Sequence, residues 1–143
     1  MTADPIEEEV APALPTTRRA QLTTGLAVAA GAALGAVTRF LLGAGIDTAF
    51  GMQTSALSTT VINLLGCVFF GIVSTIDFAN PRLAAMSGTG FCGGFTAFSA
   101  FVIALIAQST TSIAAIASVL VIHIVGCPVA YWIGTKCVRE KVE

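Results

Sequence analysis

Apolar residues are gathered into four long stretches that short polar connections separate. The stretches cover residues 22–46, 55–76, 83–107 and 112–134, and the connections cover residues 47–54, 77–82 and 108–111. About 20 apolar residues in a helix cross the ~30 Å hydrocarbon core of a bilayer, so each stretch is long enough to span it once. The pattern predicts an all-α membrane protein with four transmembrane helices, which together occupy residues 21–137.

The two ends of the chain differ in composition from this apolar domain. Residues 1–20 contain three prolines and four acidic residues and lack apolar periodicity, which is typical of a disordered acidic tail. They lack the basic start of a signal peptide, so we expect none; residues 138–143 form a short C-terminal tail. The chain is 55% hydrophobic and 10% charged, with a mean hydropathy of +0.88, which excludes a soluble domain.

Basic residues predict how the chain is oriented in the membrane. An even number of spans puts both termini on one side, and six basic residues fall on that side: Arg18, Arg19, Arg82, Lys136, Arg139 and Lys141. Lysine and arginine accumulate in cytoplasmic segments. We therefore expect a multi-pass protein of the cell (plasma) membrane with cytoplasmic termini.

The scarcity of ionisable groups within the spans limits the possible chemistry. Asp47 and Asp77 fall at span ends, whereas proton-coupled pumps need a carboxylate at membrane depth. A small multidrug-type exporter is therefore a disfavoured alternative. The four cysteines form no C-x-x-C pair, which argues against a thiol oxidoreductase, and the single histidine, His123, is too isolated for a metal site. We expect no enzymatic activity.

Neutral polar side chains remain as candidates for a function. Ser55, Thr59 and Asn63 recur every four residues, so they share one face of the second helix. A primary amide such as that of Asn63 needs several partners in the membrane, since an unpaired one costs a few kcal/mol. Neighbouring helices or a bound ligand could supply those partners, and the amide chemistry leaves both explanations open.

The glycine-rich segment GTGFCGGFTAFSAF, residues 88–101, lies inside the third apolar stretch. Irregular backbone at membrane depth lines a cavity or is buried in protein, and the ends of broken helices present carbonyls to cations. We predict a break over residues 91–95. The alternative is close packing, because Gly90 and Gly94 form a G-x-x-x-G pair, as do Gly31 and Gly35 in the first stretch.

Two phenylalanines, Phe98 and Phe101, follow the glycines at a three-residue step beside Thr96 and Ser99. Phenylalanines at helical spacing usually face lipid or the protein core. The edge of an aromatic ring is electropositive, so the same two rings, beside hydroxyl and amide donors, are also suited to line the path of a small anion. Periodicity alone favours contact with lipid or the core, and nothing in the composition promotes the anion path.

Three segments together resemble the CrcB/Fluc family of fluoride channels, in the order and spacing of that family. They are GAALGAVTRFLLG at residues 31–43, TTVINLLGCVFFG at residues 59–71, and the glycine-rich segment at residues 88–101. The resemblance extends over nearly all of residues 22–136. It implies a fluoride-specific channel that lets fluoride leave the cell passively and so lowers its toxicity.

The resemblance also implies an assembly and a set of site residues. Members form antiparallel, dual-topology dimers with two fluoride paths beside a structural sodium ion, Na⁺, which is not transported. Backbone carbonyls of Gly93 and Thr96 match the sodium ligands, and Arg39 matches a first-helix arginine of the vestibule. The fluoride path would be lined by Asn63, Thr59, Phe98, Ser99 and Phe101.

Two departures from the family pattern concern the same region. The usual T-T-F-S-T-F segment is TAFSAF here, so Ala97 and Ala100 replace two hydroxyl-bearing residues. In the fourth stretch, His123 stands where an asparagine is common. We expect His123 either to take over the hydrogen bonding of that asparagine or, when protonated, to disturb the pore.

The strong charge bias affects the expected partner. A homodimer of antiparallel subunits requires one sequence to insert both ways, whereas six basic residues on one side favour a fixed orientation. We therefore expect a homologous CrcB-type subunit of opposite orientation as partner, with homodimerisation as the alternative. The chain could also be a non-conducting subunit of such a heterodimer. Membrane lipid is the other expected contact, and nucleic acid is not.

Overall fold

A computed structural model of the chain describes residues 17–51, 56–108 and 112–139. The first helix, α1, covers Arg18–Phe50 and has 33 residues, which corresponds to a length of about 50 Å at 1.5 Å per residue. It begins where the Thr17 hydroxyl accepts a hydrogen bond from the amide of Ala20 at 3.4 Å. It ends at Gly51, whose φ of 63° is readily adopted by glycine.

The second helix, α2, covers Ala56–Ser74. The third span has two parts. Its first part, α3, is a continuous helical run over residues 81–95, made of an α-helical turn at Pro81–Ala85, a wider π-helical segment at Met86–Cys92 and a last α-helical turn at Gly93–Phe95. Its second part, α4, covers Phe98–Gln108.

The fourth span is one helix, α5, over residues 113–139. It consists of Ile113–Val121, a π-helical turn at Ile122–Gly126, and Cys127–Arg139. The turn ends two residues before Pro128, which has no amide proton and whose ring would collide with the carbonyl four residues earlier in an α-helix. Widening the helix at this point accommodates the proline, and proline is a recognised cause of helix irregularity.

Four helical segments are long and apolar enough to cross a membrane: Arg18–Phe50, Ala56–Ser74, Pro81–Ile106 and Ile113–Val138. This confirms the prediction of an all-α membrane protein with four spans. The predicted tail at residues 1–20 overlaps the start of α1, because the helix already begins at Arg18, and residues 1–16 lie outside the described part of the chain. Ser55, the first member of the predicted polar face on α2, also lies outside it.

Glycines bring α1 and α3 into contact. A methyl group built on Gly90 would lie 2.6 Å from the carbonyl oxygen of Val28, and one on Gly94 would overlap the backbone of Ala32. The reverse holds on α1, where Gly31 and Gly35 face the backbone of α3. This confirms that the two G-x-x-x-G pairs allow close helix packing, as small residues do in membranes.

A second glycine contact joins α2 to α5. Side chains added at Gly71 or Gly134 would run into the backbone of the opposite helix. The hydroxyl of Tyr131 on α5 lies 3.1 Å from that of Ser74 on α2, and the Ser74 hydroxyl donates to the Gly71 carbonyl. The fold therefore contains two tightly packed helix pairs, α1 with α3 and α2 with the C-terminal part of α5.

The backbone break lies later in the chain than predicted. Residues 91–95 were expected to be irregular, but they are helical, and the chain leaves the helix at Thr96, which has an extended ψ of 147°. The prediction was wrong in position because glycines that are packed against another helix keep helical backbone. The helix ends with the Thr96 amide and hydroxyl both donating to the Cys92 carbonyl, at 2.9 and 2.8 Å.

Candidate functional site

Asn63 on α2 lies where the break in the third span meets the π-helical turn of the fourth. Its side chain is buried, with 6% of its surface exposed. The side-chain oxygen Oδ1 accepts a hydrogen bond from the Ala97 amide at 3.2 Å. An unbroken helix would direct that amide at the Gly93 carbonyl. Because a backbone amide can only donate, this contact fixes which end of the Asn63 side chain faces the break.

The other end of the Asn63 amide faces His123. Its Nδ2 atom lies 3.4 Å from Nε2 of the imidazole, while Nδ1 of the same ring lies 2.8 Å from the Val119 carbonyl oxygen. A carbonyl only accepts, so in the neutral ring the proton is on Nδ1, and Nε2 is the acceptor for Asn63. Both contacts of His123 are satisfied in this tautomer.

A cavity of about 580 Å³ opens beside this hydrogen bond. It combines polar groups with aromatic rings and apolar side chains, and its lining residues are Asn63, Cys67, Thr96, Ala97, Phe98, Phe101, Leu120, His123, Ile124 and Cys127. Within the described ranges this lining includes no carboxylate. The cavity therefore places amide and thiol groups beside aromatic rings, in a lining that has no carboxylate among the described residues.

The two phenylalanines differ in exposure. Phe101 is buried at 9% exposed and packs against the His123 ring, with the two ring centroids 4.4 Å apart. Phe98 is 77% exposed, although its ring is 5.7 Å from that of Phe101. The structure thus brings both predicted rings to the cavity, one as a wall and the other at its open side.

Arg39 and Thr59 lie at a second cavity, of about 430 Å³, between α1, α2 and α4. One guanidinium nitrogen of Arg39 donates to the Phe95 carbonyl at 3.4 Å, at the last residue of α3. Asp47 and Ser58 also line this space. Arg39 therefore ties the end of α3 to α1, and Thr59 is one turn of α2 away from Asn63.

The remaining predicted site residues are distributed around the break. Thr96 lines the first cavity, whereas Ser99 and Gly93 are exposed and line neither of these two cavities. A methyl group built on Gly93 would meet nothing within 4 Å, unlike one on its neighbour Gly94. Within a single chain, then, the structure gathers Asn63, Thr96, Phe98 and Phe101 but not Thr59, Ser99 or Arg39.

Several cavity-lining groups did not appear among the predicted site residues. Cys67 and Cys127 were interpreted as small buried apolar residues, yet both line the cavity. Their spacing was an available signal, because each lies four residues after another lining residue, Asn63 and His123 respectively, on the same helical face. The Ala97 amide could not be found from the sequence, because it is a backbone group that becomes available only where the helix is interrupted.

Comparison with known proteins identifies the family. The model of the family described as "CrcB-like protein, Camphor Resistance (CrcB)" matches residues 26–135, which cover all four spans. The chain belongs to the CrcB family. In this chain, the cavity at Asn63 lies between the second, third and fourth spans.

Curated relatives carry a functional name. The chain is 39% identical over 80 residues to "Fluoride-specific ion channel FluC 2" of Rhodococcus jostii, a match that covers 56% of this chain and 67% of the relative. It is 38% identical over 82 residues to a protein of the same name in Natronomonas pharaonis, covering 57% and 65% of the two chains. The Tolumonas auensis "Fluoride-specific ion channel FluC" is 45% identical over 80 residues, with 53% and 61% covered. The matches thus span about two thirds of the length of these relatives.

Proposed function

We propose that the protein is a fluoride-specific channel through which fluoride leaves the cell passively. The observation that carries this proposal is that two hydrogen bonds fix the orientation of the Asn63 side-chain amide. Its oxygen is engaged by the Ala97 amide and one Nδ2 hydrogen by His123. A primary amide has two such hydrogens, so the second remains to donate to an anion in the adjoining cavity.

The cavity has the chemistry that a dehydrated fluoride ion requires. Fluoride is small and tightly hydrated, so a pore must replace its water with hydrogen-bond donors. The amide of Asn63 and the electropositive ring edges of Phe98 and Phe101 serve as such groups. The membrane potential contributes about 2.3 kcal/mol per charge per 100 mV and drives an anion out of a cell with a negative interior, so neither ATP nor a proton gradient is needed.

A structural sodium ion belongs to the same proposal. The carbonyls of Gly93 and Thr96 would hold it, and carbonyl oxygens are ligands that hard cations favour. The Ala97 amide donates to Asn63, away from the Gly93 carbonyl, and the open space at Gly93 gives a cation access to that side of the helix. Thr96 has extended backbone, which turns its carbonyl out of the helix direction.

We further propose that a second CrcB-type subunit, inserted in the opposite direction, completes the pore. Phe98 is 77% exposed at the open side of the cavity, so a facing subunit would enclose the ring and the anion path. The basic residues near the chain ends, such as Arg18, Arg19 and Lys136, favour a fixed orientation with cytoplasmic termini. A homologous but different chain is therefore the preferred partner, and a second copy of this chain is the alternative.

A reporter at the C-terminus tests the orientation. With the chain expressed alone, we expect signal from reporters that work in the cytoplasm and little from reporters that work outside it. Equal signal on both sides would show dual insertion and would favour the homodimer.

Fluoride efflux from vesicles, measured with a fluoride electrode, tests the channel itself. We expect efflux from vesicles that contain the assembled protein, and we expect Asn63→Asp and Phe98→Ile to abolish it while assembly is retained. Phe50→Ile is the matched control for Phe98→Ile, because Phe50 is 65% exposed and lies at the end of α1. Unchanged efflux in Phe98→Ile would remove this ring from the path.

A non-conducting role within a heterodimer is the second candidate. It is favoured by Ala97 and Ala100, which lack the hydroxyl groups usual at these positions in the family resemblance described above. Ala100 lines the cavity that contains Thr59 and Arg39. Under this alternative, Asn63→Asp in this subunit leaves the efflux of the heterodimer unchanged, whereas the equivalent change in the partner abolishes it.

A further inference from the structure

The hydrogen bond between Asn63 and His123 has a property that an asparagine in place of the histidine would lack. Its acceptor, Nε2 of the imidazole, can bind a proton. The 3.4 Å contact lies at the wall of the 580 Å³ cavity rather than in a closed core. Imidazole is the side chain that changes charge between roughly pH 5 and 8.

Protonation converts this contact from a donor–acceptor pair into two donors. Nδ1 is already committed to the Val119 carbonyl at 2.8 Å, so an added proton must go to Nε2, directly opposite Nδ2 of Asn63. Two N–H groups that face each other at this distance repel, and the hydrogen bond is lost.

Rotating the Asn63 amide cannot relieve the conflict. A half-turn would offer Oδ1 to the protonated ring, but it would also point Nδ2 at the Ala97 amide, which now donates to Oδ1 at 3.2 Å. One donor–donor contact would replace another. The two contacts that orient Asn63 are therefore compatible only with a neutral His123.

An anion between the two donors resolves the conflict. It accepts from the protonated Nε2 and from Nδ2 of Asn63 at once, and it balances the new positive charge. A charge-assisted hydrogen bond of this kind is roughly twice as strong as a neutral one. A small anion fits best, because the two nitrogens are close together.

Other groups around His123 do not supply the missing negative charge. The titratable groups that share its cavity are the thiols of Cys67 on α2 and Cys127 on α5. From α4 the neighbours are Phe98 and Phe101, which carry no charge. Among the described residues that line the cavity there is no carboxylate, so an anion from solution is the natural counter-charge.

We propose that Asn63 and His123 form a proton-coupled anion site, in which protonation of His123 traps fluoride and slows its passage. This inference rests on the proposed function, since it names fluoride as the anion. While it is neutral, the imidazole holds the Asn63 amide in place and the ion passes. Once protonated, the same side chain is a fixed cation that retains the ion.

Fluoride efflux at pH 8 and at pH 5 tests the coupling, with His123→Asn as the matched variant. An asparagine amide can accept from Asn63 but does not titrate in this range. For the wild-type channel we expect efflux at pH 5 to be about tenfold lower than at pH 8, the change that roughly 1.4 kcal/mol of added binding produces. The ratio in His123→Asn is expected to be close to one, after subtraction of the leak from protein-free vesicles. A wild-type ratio equal to that of the variant would overturn the proposal.

Nuclear magnetic resonance of the imidazole gives a readout that does not depend on conduction. His123 is the single histidine of the chain, so ¹⁵N-labelled histidine reports on it alone. We expect Nδ1 to carry the proton of the neutral ring, and the proposal requires the second proton to appear on Nε2. Binding of an anion and of a proton must favour each other by the same factor, so fluoride should move the titration midpoint to higher pH.

The two measurements separate the possible failures. An absence of efflux at pH 8 from both homomeric and heteromeric channels contradicts the proposed function, whereas the titration still decides whether the site binds an anion. A midpoint that fluoride does not move contradicts the proton-coupled site, even if the channel conducts. A midpoint that chloride moves as far as fluoride contradicts its preference for the small anion.

Discussion

The third and fourth spans both depart from a regular α-helix, but in different ways. The third span stops at Phe95 and restarts at Phe98, with extended backbone at Thr96 between the two helices. The fourth span remains helical throughout and widens into a π-helical turn at Ile122–Gly126. Both irregularities meet the same residue of α2, Asn63, through the Ala97 amide and the His123 ring.

The difference shows two ways of supplying a hydrogen-bonding group inside a membrane. An interrupted helix releases a backbone donor, because the amide after the break no longer has a helical acceptor. A π-helical turn keeps the backbone bonded within the helix and instead displaces a side chain, here that of His123. The first device provides a group that cannot titrate, and the second provides one that can.

Proline substitution is expected to give the largest difference in stability between the break of the third span and the π-helical turn of the fourth. Ile124→Pro puts a proline inside the helical part of α5, where we expect a loss of about 3 kcal/mol or more in folding stability. Ala97→Pro is expected to cost only about 1 kcal/mol, the value of one lost hydrogen bond, because a residue before proline prefers the extended backbone that Thr96 already has. Thermal unfolding in detergent, followed by circular dichroism, compares them.

The Ala97→Pro variant is also expected to change fluoride efflux. Ala97→Pro removes the donor that orients Asn63, so we expect its fluoride efflux to fall even though the protein remains folded. If Ala97→Pro unfolds as readily as Ile124→Pro, the backbone at residue 97 is a distorted helix and not a helix end. The contrast between the two spans would then be wrong.

Glycine replacement tests how the interrupted span is held in place. Gly31→Ala puts a methyl group against the backbone of α3, 2.9 Å from the Phe91 amide nitrogen, and we expect overpacking to cost about 2 kcal/mol. The control is Gly25→Ala in the same helix, where a methyl group would meet nothing within 4 Å. There we expect a gain of up to about 1 kcal/mol from helix propensity. Equal melting temperatures for the two variants would contradict the role of the glycine contact.

A smaller effect is expected at the contact that fixes the regular end of the fourth span. Tyr131→Phe deletes one hydrogen bond to Ser74, which we expect to be worth about 0.6 kcal/mol, the average for such bonds between membrane helices. Ser74→Ala and the double variant complete a mutant cycle in the same unfolding assay. A coupling energy of zero would mean that the two hydroxyls are merely adjacent.

Much of the fold could be predicted from the sequence because membranes impose a simple rule. Each predicted span agrees with a helical segment to within a few residues, for example residues 55–76 with Ala56–Ser74. Close packing through spaced glycines was also anticipated, as the alternative to a break, but the sequence did not say that Gly31 and Gly35 would pack against the helix of Gly90 and Gly94. Periodicity and length are local properties, and they determine these features.

The position of the break could not be predicted in the same way. Adjacent glycines suggested irregular backbone at residues 91–95, but contact with α1 keeps Gly94 helical, and the helix ends only at Thr96. The choice depends on a neighbouring helix that is distant in sequence. The proline signal in the fourth span was local, however, and Pro128 could have indicated the irregular turn before it.

Several residues of the candidate site could be named from the sequence, but their arrangement in space could not. Asn63, Phe98 and Phe101 were named together, and they do meet at one cavity. Thr59 and Arg39 lie at another cavity, because one turn of α2 separates Thr59 from Asn63. The hydrogen bond between Asn63 and His123 joins residues 60 positions apart, a relation that helical spacing within one segment cannot reveal.

The length of α1 has a consequence for how the protein sits in the bilayer. A helix of about 50 Å fits wholly within about 30 Å of hydrocarbon only at a tilt of about 53°, which exceeds the range of roughly 0–40° found for transmembrane helices. At least one end of α1 therefore emerges among the lipid headgroups. Arg18 and Arg19 open this helix, so their guanidinium groups are suited to meet lipid phosphates and to anchor the first span at one depth.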